Sequence, residues 1–334
     1  MKKYLLMAVC LIMMSMTASA ITINKAMLDH NGQVTLFDGD KLQDAVNAAV
    51  DGDIIYLTLG TFKPFNVTKK ITIRGTGETS VIDGDVNISI PGSAKLTSPV
   101  LEALAVSGTV NIGAQVDDMI IRKCKIADFS IGAQVDGAVL DRCYITHTFT
   151  LSSYIKGMTV VNTKLYAVKA ITGASQNTTF VNCNINLIYS PNFSGTIINS
   201  IINRSVNNYG YVNSNSDGGS QISSTVLLNT LLYTYSSFVT ISTSSVCQNC
   251  YNVTEHIYIE NAYNVIYPSN CDCYYNTSTL QSKGYLGTDG TIVGIYGGDT
   301  PYTLEPSVPK VTSSDLKLDM EQKKLNVTLT VSPQ

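Results

Sequence analysis

Few residues in this chain could do chemistry. Charged side chains make up 14% of its 334 residues, and it contains no Trp. Four acidic pairs stand out: Asp38/Asp40, Asp51/Asp53, Asp83/Asp85 and Asp117-Asp118. Paired carboxylates are what glycoside hydrolysis or a calcium site requires. Three of these pairs, however, are Asp-Gly-Asp, a turn sequence whose carboxylates bond nearby backbone. Asp117-Asp118 lacks the further oxygen ligands that calcium needs close by in sequence. His30, His147 and His256 are scattered and read as surface residues, not general bases. Arg122 and Asp141 occupy equivalent places in adjacent repeats and are expected to form a modest ion pair. Cys247-x-x-Cys250 with Cys271-x-Cys273 approaches the spacing of a zinc ribbon. Stacked interior thiols and a disulfide are open alternatives there.

The elements that position these residues come from a repeat. Ile-Gly-Ala-Gln-Val-Asp occurs at 112–117 and again at 131–136, an offset of nineteen residues. Each copy is followed by a cysteine flanked by aliphatic residues, and this register continues. Its anchor is Cys124, Cys143, Thr163, Cys183, Ser200, Thr230 and Cys250, with steps of 17 to 20 residues except for one of thirty. Three residues before the anchor stand Ile121, Leu140, Val160, Phe180, Ile197, Leu227 and Cys247. Two after it stand Ile126, Ile145, Leu165, Ile185, Ile202 and Leu232. The residue just before it is Asn162, Asn182, Asn199, Asn229 and Asn249 in five coils running, which marks a turn with positive φ. A unit this short cannot bury its own apolar face, whereas stacked units can. The expected fold is all-β: a solenoid of parallel strands, with roughly eleven coils between residues 54 and 285 and a length on the order of 50 Å.

The N-terminus reads as a secretory signal peptide over residues 1–20: Met-Lys-Lys, an apolar run from Tyr4 to Met16, then small residues up to Ala20. That run is too short to span a membrane. Without Lys2 and Lys3 the balance is 20 basic against 25 acidic residues. A mildly acidic chain with no basic cluster offers no electrostatic footprint for nucleic acid.

Residues 21–39 are a short lead-in. Asp40 is expected to cap a helix over 41–49 that buries Leu42, Ala45, Val46 and Ala49 and covers the open end of the solenoid. A strand over 54–59, a turn at Gly60-Thr61-Phe62 and a strand over 70–75 follow. This opening, Leu42-Gln43-Asp44-Ala45-Val46 through Gly52-Asp53-Ile54-Ile55-Tyr56-Leu57 to Lys70-Ile71-Thr72-Ile73-Arg74-Gly75, resembles pectin-lyase-like right-handed parallel β-helix proteins. The later Asn-Cys-x-Ile units resemble the repeat of the same superfamily. The resemblance implies a right-handed parallel β-helix over 21–285, but that fold carries lyases, hydrolases, adhesins and tailspikes alike. The lyase pattern of two Arg around a Pro and the acidic set of polygalacturonase-like hydrolases are both missing from this sequence. From 286 the period breaks, and 286–334 resembles the tail of secreted β-helix proteins of Bacteroidetes type. It is expected to cap the C-terminal end or to dock the protein, with strands at 325–331 and within 310–324.

Fourteen of nineteen Tyr lie between Tyr189 and Tyr302. Aromatic faces stack on sugar rings, so a Tyr-rich surface suits glycans. The thirty-residue step places an insertion at 206–221, whose Tyr209, Tyr211, Asn213, Asn215 and Asp217 are the candidate ligand-binding residues. No catalytic residue, metal or cofactor is assigned. The expectation is a secreted, non-catalytic module that recognises polysaccharide or another extracellular surface, with a polysaccharide lyase or glycoside hydrolase as the alternative.

Overall fold

The structure is a computed structural model. It describes residues 24–305 apart from 91, 93–94, 133, 153–154, 171–176, 189–194, 203–219, 223–224, 234–238, 242–244 and 254–276, together with strands 310–319 and 324–332. The insertion residues Tyr209, Tyr211, Asn213, Asn215 and Asp217 lie outside the described residues, as do the signal peptide, His256, Cys271 and Cys273.

Two long sheets run the length of a parallel β-solenoid. The first has twelve strands. Ten of them are parallel and in register from Ile54–Leu57 to Val246–Gln248. The remaining coil of the roughly eleven expected would fall on 254–276, outside the described residues. The second sheet stacks the strands that follow each corner, from Gly60–Phe62 to Tyr251–Val253. Its four long members, Ala105–Ile112, Lys125–Ile131, Tyr144–Leu151 and Lys164–Ala170, each cover two sides of a coil; the first three pairings between them shift register partway along.

The columns read from sequence are physical columns. Ile121, Leu140, Val160, Phe180, Ile197 and Leu227 pair in order and are fully buried. So do Ile126, Ile145, Leu165, Ile185, Ile202 and Leu232. Phe129 stacks on Phe149 at 5.2 Å, and Phe149 meets Phe180 of the opposite sheet edge-on at 6.2 Å. The thirty-residue step leaves the stack intact: Thr196–Ile198 pairs directly with Val226–Leu228. The corner before each anchor has positive φ, at Asn162, Asn182, Asn199, Asn229 and Asn249. Ala103, Lys123 and Arg142 occupy the same corner in earlier coils with φ of 53°, 54° and 52°. The duplicated hexapeptide forms a second such corner, with Gln115 and Gln134 at 63° and 62°. After it, Gly137 sits against Asp118 of the previous coil, where a Cβ would collide with the carboxylate.

The anchors are small hydroxyls and thiols because the corner leaves backbone groups to satisfy. Thr163 Oγ1 donates to Val161 O at 2.8 Å and accepts the Cys143 N–H at 3.2 Å. Ser200 Oγ repeats this with Ile198 O at 2.8 Å and the Cys183 N–H at 3.0 Å. Cys124, Cys143 and Cys183 donate their S–H to Arg122, Asp141 and Val181 carbonyls at 3.3 to 3.5 Å. Burial pushes the Cys124 and Cys183 thiols up to about 12, and Cys143 well above its ordinary value. They stay protonated donors.

Several expectations at the N-terminus give way. Residues 25–38 are not a lead-in but an antiparallel hairpin, Lys25–His30 with Gln33–Asp38, and its first strand pairs antiparallel with Ile54–Leu57. The hairpin completes the hydrogen bonding of the first coil, which a helix cannot do. Helix Leu42–Ala48 does bury Leu42, Ala45 and Val46, with Ala49 buried just beyond it. Asp40 does not cap it: Asp40 lies in a 3-10 turn, Gly39–Lys41, and the cap position falls on Lys41 with no side-chain bond. Gly60-Thr61-Phe62 is a strand paired with Ser80–Ile82, not a turn. Helix Thr277–Ser282 and residues 285–302 run back along the side of the coils, and strands Lys310–Asp319 and Lys324–Ser332 pair as an antiparallel hairpin, in keeping with the strands expected there. Leu280 and Val293 pack on Ile201, Leu231 and Val253.

Replacing Thr163 by Val keeps the volume but strands the Cys143 N–H, while the Val161 carbonyl keeps the Arg142 N–H. It should cost about 1–3 kcal/mol, while Thr163→Ser stays close to wild type; urea unfolding measures both. The buried thiols set a pH dependence. Their folded pKa lies above the unfolded value, so their contribution is whole below about pH 8.5 and is lost as pH rises toward about 12. Cys124→Ser should flatten that alkaline decline in stability.

Candidate binding face

The outer face of the first sheet carries one charged column. The pairing register stacks Tyr56, Arg74, Glu102, Arg122 and Asp141 on successive strands. Arg74 Nε donates to Glu102 Oε2 at 2.9 Å, and its guanidinium carbon stands 5.9 Å over the Tyr56 ring. Arg122 Nε lies 3.4 Å from the same Glu102 oxygen, but that buried Nε makes no hydrogen bond among the described residues. Glu102 is 1% exposed. The Arg122–Asp141 pair expected from sequence does not form. Asp141 is taken by its chain neighbour Arg142, whose Nε reaches both carboxylate oxygens at 3.0 and 3.1 Å. Glu102, on the other side, is the nearer partner for Arg122.

The corner column adds more cations. Lys123 follows Arg122 in the chain and neighbours Arg142 of the next coil. It is 7% exposed, and among the described residues no hydrogen bond or ion pair engages its ammonium. Burial lowers its pKa, Arg142 and Arg122 lower it further, and Glu102 and Asp141 oppose the shift. One strand on, Lys125 pairs with Glu78 at 2.8 Å. Within four coils, Arg74, Arg122, Lys123, Lys125 and Arg142 therefore face Glu78, Glu102 and Asp141. Cations outnumber carboxylates, and each of the three carboxylates already holds a cation. A second, half-exposed column on this face is aliphatic or Thr: Ile120, Val139, Thr159, Thr179, Thr196 and Val226.

The C-terminal segment borders this patch. It is held by the asparagine column. Asn229 and Tyr251 bond the Leu286 carbonyl. Asn199 bonds Thr288 through both amide atoms, at 2.9 and 3.1 Å. Asn184 Oδ1 accepts the Ile295 N–H at 3.3 Å, and Asn162 Nδ2 donates to Ile295 O at 3.1 Å and Gly297 O at 2.8 Å. Tyr302 ends up near Tyr144 and Glu78, and burial pushes its hydroxyl up. Tyr251 packs on Tyr285 and Tyr296 on Tyr302, so these four rings seat the segment and do not form an open stacking platform.

The acidic pairs bond mostly across coils and not within their own turns as expected, although Asp53 does bond within its turn. Asp51 accepts the Lys70 N–H, Asp53 the Val50 N–H, Asp85 the Thr109 N–H, and Asp83 the Ser107 hydroxyl. Asp38 pairs with Lys25, and Asp117 with Lys95 at 2.6 Å. His30 and His147 each face an aspartate, Asp53 and Asp128. Among the described residues no group of three His, Cys, Asp or Glu is placed to hold a metal, and no helix is long and apolar enough to cross a membrane. The charged column escaped the sequence reading, although Arg74, Glu102, Arg122 and Asp141 each stand one residue after a buried position in register; that shared position was the available signal. No family model, curated protein or solved structure matches this chain.

Asn162→Gly keeps the positive-φ corner but removes both amide bonds to the C-terminal segment. Hydrogen exchange at residues 294–298 should accelerate about 10-fold or more, as about 1.4 kcal/mol or more is lost locally, with little change at Thr159–Val161.

Proposed function

We propose that this is a secreted, non-catalytic module that recognises polysaccharide or another extracellular surface, organised as a signal peptide (1–20), a pectin-lyase-like right-handed β-helix (21–285) and a tail (286–334). The binding surface is the outer face of the first sheet around Arg122. The observation that carries the reading is the pairing of Glu78, Glu102 and Asp141: among the described residues of this face each is held by a cation, and none is left as a free pair of the kind hydrolysis uses. What remains presented is a β surface with Tyr56 and the part-exposed guanidinium groups of Arg74 and Arg122, which suits sugar hydroxyls and anionic substituents. The insertion residues Tyr209, Tyr211, Asn213, Asn215 and Asp217 remain part of the proposal as a second contact.

Lys123 favours one rival reading, a polysaccharide lyase. An amine of lowered pKa beside guanidinium groups is equipped to take a proton next to a carboxylate, after which the 4-O-linkage leaves by elimination. Glycan-array binding run beside assays for reducing ends and unsaturated products separates the two. Binding without product is the expected result, and turnover abolished by Lys123→Met would install the lyase in its place. Arg122→Gln leaves Arg74 on Glu102 and should weaken binding about 10-fold, or about 1.4 kcal/mol, with an unchanged melting temperature. Binding should also weaken with added salt.

A further inference from the structure

We propose that Cys247 and Cys250 form an intramolecular disulfide that locks the last described corner of the stack. In six preceding coils the position three before the anchor is a fully buried hydrocarbon, from Ile121 to Leu227. In this coil it is Cys247, and it is exposed. The anchor beside it is also different. Cys124, Cys143, Thr163, Cys183, Ser200 and Thr230 hold the carbonyl two residues back at 2.8 to 3.5 Å. Cys250 Sγ has drifted to 3.7 Å from Gln248 O and 3.6 Å from Leu227 O, and stands 3.0 Å from Cys247 Sγ. A disulfide needs about 2.05 Å, so the sulfurs have about 1 Å left to close. Between them Asn249 already has the positive φ of every other corner, 51°.

The step needs an oxidant, which is a dithiol-oxidising disulfide such as oxidised glutathione or an oxidoreductase of a secretory compartment. One thiolate attacks that disulfide and releases its first thiol. The second thiolate then attacks the mixed disulfide and releases the other thiol. Two protons and two electrons leave the protein, and one S–S bond forms. Burial and the neighbouring thiol raise Cys247 to about 12, so the uncatalysed reaction should quicken with alkaline pH. The inference is independent of what the outer face binds.

The test uses the full chain, treated with oxidised glutathione, denatured, alkylated, digested and weighed. The expected product is a peptide spanning 247–250 that is two hydrogens lighter than its reduced form, carries no alkyl group and is restored by reductant. Alkylation of both residues, a bridge from either one to Cys271 or Cys273, or protection released by a zinc chelator would each overturn the proposal. Dithiothreitol should also lower the melting temperature of the wild type by about 3 °C and leave a Cys247→Ser/Cys250→Ser variant unmoved. An equal fall in that variant would place the reducible bond elsewhere and sink the idea.

Discussion

The stack depends on how each coil turns its corner. A positive-φ residue reverses the backbone between the two sheets and leaves an N–H and a carbonyl pointing inside. An unpaired buried backbone group costs about as much as the hydrogen bond it lacks. The anchor side chain takes both: Thr163 and Ser200 each bond their own coil's carbonyl and the previous coil's N–H. That double role limits the position to side chains that are small, donate and accept. Thr, Ser and Cys meet the requirement, and Cys meets it only while protonated, which burial ensures.

With the corner satisfied, apolar packing follows from register. A period of two puts Ile126 inside and Lys125 outside, and the coil repeat places the same choice on the next rung. Adjacent coils touch through columns of like residues, so volume is matched by like side chains meeting like, and the Phe149 and Phe180 rings meet across the two sheets. Added chain between coils need not interrupt the ladder: thirty residues separate Ser200 from Thr230, yet their strands still pair.

This division explains what was legible in the sequence. The interior columns are dictated by burial, so they recur and can be read: Cys124, Cys143, Thr163 and Cys183 superpose as their spacing implied. The outer positions are free to vary, and their partners depend on rotamers. Arg122 has Glu102 on one side and Asp141 on the other, and spacing alone cannot rank them. The local competition decides, because Arg142 sits next to Asp141 in the chain and claims it. The N-terminal hairpin was missed for another reason. Its alternation is broken by exposed Val34 and Leu36, which look like core residues but lie on an edge strand.

The corner column also shows how one backbone requirement can serve two purposes. Positive φ is tolerated by Asn with little penalty and is uncommon for Lys or Arg. From Asn162 on, the column uses Asn, and at Asn162, Asn199 and Asn229 the amides hold the returning C-terminal segment. Before Asn162 the column offers the segment no amide, although Tyr302 still reaches Tyr144, and the corner switches to Lys123 and Arg142 in the same strained conformation. The turn itself does not ask for a cation, since Ala103 makes the same corner with a methyl group. Arg142 holds Asp141 there, and Lys123 feels both Glu102 and Asp141, so the change from Asn to cation along a single column follows a change in what the corner must satisfy: segment backbone from Asn162 on, the carboxylates of the charged column before it.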